Sequence, residues 1–111
     1  MIRKPVWKTA RIPATDDTTN VIELRDYTAF GIITPVTLTS TTLEVQVSDA
    51  KAGTFVPLYD SEGNQVIITV TTSRAYGLAV GDADALACHQ FARLFGNQTE
   101  VAARDIIFVM K

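Results

Sequence analysis

The residue types able to do chemistry are few. Cys88 and His89 are the single cysteine and the single histidine of the chain. A Cys-His pair works when thiolate and imidazole meet in space. A strand is expected from about His89 to Phe95, and adjacent residues of a strand point to opposite faces. The two read better as a small buried thiol and a satisfied or exposed imidazole. One Cys and one His also fall short of the four ligands of a structural zinc. Acids cluster at Asp16-Asp17, at Asp60/Glu62/Asn64 and at Asp82/Asp84, and hard oxygen donors on loops are what Ca2+ takes. Gly63 falls in the wrong place for an EF-hand loop, however, and Asp60-Ser61-Glu62-Gly63-Asn64 has the chemistry of a hairpin turn. No Gly-rich phosphate loop precedes a helix, and the aromatics are too scattered for a base-stacking platform. Trp7, Tyr27, Tyr59 and Tyr76 are candidates to stack on a sugar, with Tyr59 and Tyr76 read first as core residues whose hydroxyls reach the rim. The expectation is a non-enzymatic chain with no catalytic residue, no cofactor and no metal.

The elements around these residues are mostly strands. Leu43, Val45 and Val47 alternate with Glu44, Gln46 and Ser48, the period of a half-buried strand. Phe55 to Tyr59 and Gln65 to Thr71 follow, joined by the turn in which Gly63 supplies positive φ. Before them lie Val21 to Leu24, Tyr27 to Ile33 limited by Pro35, and a short strand Val36 to Thr39. After them come Arg74 to Leu78 and a short helical turn capped by Asp82 and running to Leu86 or Ala87. His89 to Phe95 is next, and Ile106-Ile107-Phe108-Val109 within Arg104 to Met110 reads as a strand buried on both faces. The spacing predicts an all-β fold: an antiparallel β-sandwich or jelly-roll of about eight strands, with one short helical turn and an extended N-terminal arm.

A chain of 111 residues makes one domain able to bury a core without disulfide or metal support. The lone thiol fits folding in a reducing cytosol. No apolar run reaches the length of a membrane span, and Val6-Trp7-Lys8 stands where the apolar region of a leader would be. The expected protein is soluble, with no membrane partner.

Net charge is −2, which argues against a nucleic-acid partner, yet the charge is uneven. Arg3, Lys4, Lys8 and Arg11 are four of the ten basic residues and precede the first acid, Asp16. Residues 1–19 therefore read as a basic arm on an acidic body at 20–111, with Thr15 to Asn20 as a polar linker. Pro5 and Pro13 deny the arm a long helix and favour extended or edge-strand geometry. It is either a solvated terminus or a segment that lies along an acidic partner, with Ile2, Val6, Trp7 and Ile12 as apolar anchors. On the second reading Arg3, Lys4, Trp7, Lys8 and Arg11 carry attachment, Trp7 as the buried anchor. Deleting residues 1–19 is then expected to leave a folded body that no longer binds.

The order of Phe30 to Pro35, Leu43 to Ser48, Phe55 to Asn64, Ser73 to Leu78, Phe91 to Phe95 and Ala102 to Ile107 resembles one family. It is similar to the small β-sandwich proteins encoded among structural genes of tailed bacteriophages, which resemble the discoidin or galactose-binding-like jelly-roll. The resemblance covers 20–111 and departs from the family's Gly-Thr turn at Gly96-Asn97-Gln98-Thr99. It implies a virion component: a capsid decoration (cement) protein or the capsid-binding base of a head fibre, on the outer capsid surface and made in the host cytoplasm. The implied partners are the major capsid protein and neighbouring copies, as a homo-trimer. No ligand motif of the discoidin family is matched, so no sugar site is carried over. A carbohydrate-binding adhesion module of a head fibre or tail, and a tail or connector subunit, are the alternatives.

Overall fold

The computed structural model describes residues 4–111. It is an antiparallel β-sandwich of two sheets. The strands are β1 (Val6–Ile12), β2 (Ile22–Glu23), β3 (Phe30–Ile33), β4 (Thr42–Ser48), β5 (Val56–Pro57), β6 (Ile67–Thr69), β7 (Ala75–Gly77), β8 (Phe91–Gly96) and β9 (Arg104–Met110), and α1 (Val80–Ala87) precedes β8. Sheet A has the order β1-β9-β3-β7. Sheet B has the order β2-β8-β4, with β5 and β6 sharing the far edge of β4.

Alternation fills the space between the sheets. Sheet A turns in Ala10, Ile12, Phe30, Ile32, Ile106, Phe108 and Met110, and sheet B turns in Ile22, Leu43, Val45, Val47, Ala92 and Leu94, all buried. Removing such side chains from water is the main favourable contribution to folding, about 1.5–3 kcal/mol for each large one. Phe30 and Phe108 meet with tilted rings 6.2 Å apart, a favoured aromatic geometry.

The turn from Asp60 to Asn64 behaves as its residues dictate. Gly63 adopts φ +83°, and the Asp60 carboxylate accepts from the Glu62 and Asn64 N–H groups, each at 2.9 Å. The helix differs in its start. It begins at Val80 after Ala79, which gives no side-chain cap, and Asp82 lies in the first turn, where a carboxylate favours the helix dipole. Ala83 and Leu86 turn into the core.

Three further expectations are corrected. Val36 to Thr39 is not a strand, because the N–H groups of Thr39 and Ser40 go to the Glu100 carboxylate instead of a strand ladder. β9 is buried on one face only: Ile106, Phe108 and Met110 are in the core, while Ile107 and Val109 are half-buried on the outside. Tyr59 is 54 % exposed beside the Asp60 turn rather than in the core, whereas Tyr76 is half-buried and its hydroxyl accepts from the Thr71 N–H at 2.8 Å.

From Val6 to Thr19 the chain is held to the body by main-chain bonds. β1 pairs with β9 over all seven of its residues, and Ala10 and Ile12 are fully buried. The polar stretch that follows is pinned by the bonds Thr15 N–H to Glu100 O, Thr19 N–H to Leu94 O and Gly96 N–H to Asp17 O, at 2.7, 2.9 and 2.7 Å. Removing residues 1–19 would therefore take core side chains with it and leave one edge of β9 unpaired.

Candidate attachment surface

The five residues expected to carry attachment are placed by the pleat of β1. Lys4 is exposed, and Arg3 lies outside the described residues. Ala10 and Ile12 face the core, so Trp7 and Arg11 face outward. Lys8 has the core-facing parity but is exposed. There it lines an opening of ≈ 250 Å³ at the sandwich edge, with Lys51 and Glu23. Arg11 is not free: its guanidinium donates to both Asp105 oxygens at 2.7 and 3.0 Å. That bidentate pair raises the Arg11 pKa and lowers that of Asp105. Trp7 is 63 % exposed, so most of its ring surface is open among the described residues.

Strand pairing puts Trp7 in a defined setting. Trp7 is opposite Val109, Val109 opposite Gly31, and Gly31 opposite Gly77. This row crosses all four strands of sheet A with a large ring at one end and two glycines at the other. The next row is Thr9, Ile107, Ile33 and Ala75. These two rows form the outer face of sheet A and hold no charged side chain. The adjoining Arg11 and Asp105 neutralise each other. An antiparallel sheet normally turns polar residues to water on its outer face, so this apolar one is the most unusual surface of the fold. A shallow concavity of ≈ 440 Å³ lies on it, bordered by Trp7, Gly31, Ile33, Gly77 and Val109, with Lys111 as its charged member.

The edge of β1 is partly open. Asn20 bonds both the N–H and the C=O of Arg11, at 2.7 and 3.2 Å. By alternation the main-chain groups of Trp7 and Thr9 point to the same free edge.

The residues considered for chemistry lie apart from this face. The Cys88 thiol ends α1 and donates to Asp84 O at 3.4 Å, whereas His89 Nδ1 is 3.5 Å from Asp49. Asp16 accepts from the N–H groups of Asp17 and Thr18 within its own loop. Among the described residues, no three His, Cys, Asp or Glu side chains are grouped to hold a metal ion, and no helix is long and apolar enough to cross a membrane.

One polar residue that the sequence does not single out is Glu100, which is fully buried. It accepts from the N–H groups of Thr39 and Ser40 at 2.8 and 2.9 Å and from Arg104 Nε at 3.2 Å. Burial pushes its pKa up, but these donors outweigh burial and the net shift is downward. The only sequence signal is Arg104 four residues on, which is too common a spacing to mark a buried pair.

No family model matches the chain, and no curated protein matches it. Among solved structures it is similar to the crystal structure of the SPBc2 prophage-derived protein YomS, with a TM-score of 0.57 and 8 % identity over 99 % of this chain and 96 % of that one. The chain thus shares its whole fold, end to end, with a prophage-derived protein.

Proposed function

We propose that this chain is a non-enzymatic structural protein of a bacteriophage virion, a capsid decoration protein that sits on the outer shell and stabilises it. The observation that carries the reading is the end-to-end fold likeness to a prophage-derived protein. The apolar outer face of sheet A supports a binding role, because an exposed apolar sheet face with an uncovered Trp is what an interaction surface presents. The partners are the major capsid protein and neighbouring copies of this chain. Lys4, Trp7 and Lys8 make the first contacts along β1. A protein that binds only the assembled shell stabilises it by mass action, and many weak copies suffice.

The test uses particles assembled without this protein, to which wild type or Trp7→Ala is added back. Wild type should occupy the shell and raise its heat resistance, and Trp7→Ala should occupy it less. Failure of wild type to bind contradicts the reading.

A second reading, a carbohydrate-binding adhesion module of a head fibre or tail, draws on the outer face of sheet B. There Gln65 and Gln46 donate to Glu44, and Arg93 donates to Gln46 while lying 4.6 Å over the Phe55 ring. Tyr59 is exposed beside Gln65. Glycan-array binding lost in Tyr59→Ala would favour it.

A further inference from the structure

We infer that the outer face of sheet A closes against the same face of a second copy, about a two-fold axis parallel to the strands, with Trp7 of each copy seated over Gly77 and Gly31 of the other. This deepens the reading of β1 as an attachment strand by naming what covers Trp7. It puts a two-fold contact where the resemblance implies a threefold one.

Glycine in a strand forgoes side-chain packing and costs conformational entropy, so its presence calls for a reason. Gly31 has one in its own chain: a Cβ there would come within 2.7 Å of the Tyr76 carbonyl oxygen. Gly77 has none. Its φ is not positive, and a Cβ built on it meets nothing within 4 Å. The notch at Gly77 is therefore an outward feature that the fold of one chain does not require.

The notch shares a row with the ring that can fill it. Trp7, Val109, Gly31 and Gly77 cross the sheet in line, and neighbouring strands are about 4.8 Å apart. Trp7 thus stands about 14 Å from Gly77 on the same surface. A two-fold axis running along the strands between β9 and β3 exchanges β1 with β7 and β9 with β3. It lays Trp7 over Gly77 of the other copy, Val109 over Gly31 and Ile107 over Ile33. Bulge meets notch and apolar meets apolar, at both ends at once, as an isologous contact demands. An axis across the strands would instead stack Trp7 on Trp7. Arg11 and Asp105 are already paired, and Lys111, which also borders the concavity, lies at the end of the face, where its long stem lets the ammonium reach water. Two aligned sheets packed in this way match the common sandwich geometry.

The contact is small. Four strands by about 15 Å of length give roughly 300 Å² per copy, below the about 800 Å² of a standard stable interface. A weak dimer follows, and a lattice that holds copies close would strengthen it.

The test is sedimentation velocity of the full chain over a concentration series reaching the millimolar range, with the fluorescence of Trp7, the single tryptophan, recorded in parallel. The wild type should move from 12.1 kDa towards twice that mass while the Trp7 emission shifts to the blue. Gly77→Ile, which fills the notch with a good strand former, and Trp7→Ala should each weaken association at least about tenfold. Circular dichroism and unfolding midpoints should show both variants folded. Val101→Glu, at an exposed site away from this face, should dimerise as wild type does. A wild type that remains monomeric throughout, a trimer, or a dimer indifferent to both Gly77→Ile and Trp7→Ala would overturn the inference. A dimer that never joins a virion would leave it standing and sink the proposed function, and a monomer that binds shells through Trp7 would do the reverse.

Discussion

Arg104 Nε lies 3.2 Å from Glu100 Oε1, and the Glu100 side chain is wholly closed from solvent while Arg104 keeps 16 % of its surface exposed. The carboxylate also collects the main-chain N–H groups of Thr39 and Ser40. It ties the segment before β4 to the loop between β8 and β9. A buried charge is tolerated because every donor it faces is aimed at it. Glu100→Ala leaves two N–H groups and a guanidinium without their acceptor, and should cost about 3 kcal/mol in urea unfolding. A cost near zero would mean that water replaces the carboxylate freely.

Acid should weaken the fold for the same reason. The Glu100 and Asp105 carboxylates both titrate below their ordinary range in the folded chain. Groups depressed by folding contribute stability that is complete above the unfolded-chain value, about 4. It is lost as pH falls through the lower folded values. Unfolding free energy should hold level towards neutrality and drop below pH about 4. The drop should be shallower in Glu100→Gln, and an identical acid profile in that variant would contradict the assignment.

Thr19 is a second buried polar clasp. Its hydroxyl accepts from the Leu94 N–H at 2.9 Å and donates to Asn20 O at 2.9 Å. Thr19→Val keeps the shape and removes both bonds, stranding the Leu94 N–H in a buried strand. The expected loss is about 1–3 kcal/mol, with Thr19→Ser losing less, and equal stability of Thr19→Val and wild type would refute the clasp.

Cys88 offers a check on the helix boundary. Its side chain is exposed at the end of α1, whereas the sequence reads it as a small buried thiol. One thiol per chain should react with an aromatic disulfide reagent without denaturant. Reaction only on unfolding would place Cys88 inside.

What the sequence makes legible follows from how local the cause is. β4 and β8 are readable because every second residue is apolar, and the turn at Asp60 to Asn64 because Asp and Gly act within five residues. β1 reads as an arm because only Ala10 and Ile12 of its seven residues are fully buried and its charges and Trp7 face water. Its pairing partner β9 comes from the far end of the chain. Val36 to Thr39 has strand composition, yet its fate is decided by Glu100, some sixty residues away. The candidate attachment surface is the least legible part. Trp7 stands out alone, but its relation to Gly31 and Gly77 exists only through the order β1-β9-β3-β7, which no local pattern encodes.

The measurement that bears most directly on the central claim is the copy number of this protein relative to the major capsid protein in purified virions, by quantitative mass spectrometry. A ratio near one or a simple fraction of it is expected, as occupation of a capsid lattice requires. A handful of copies per particle, or none, would contradict it.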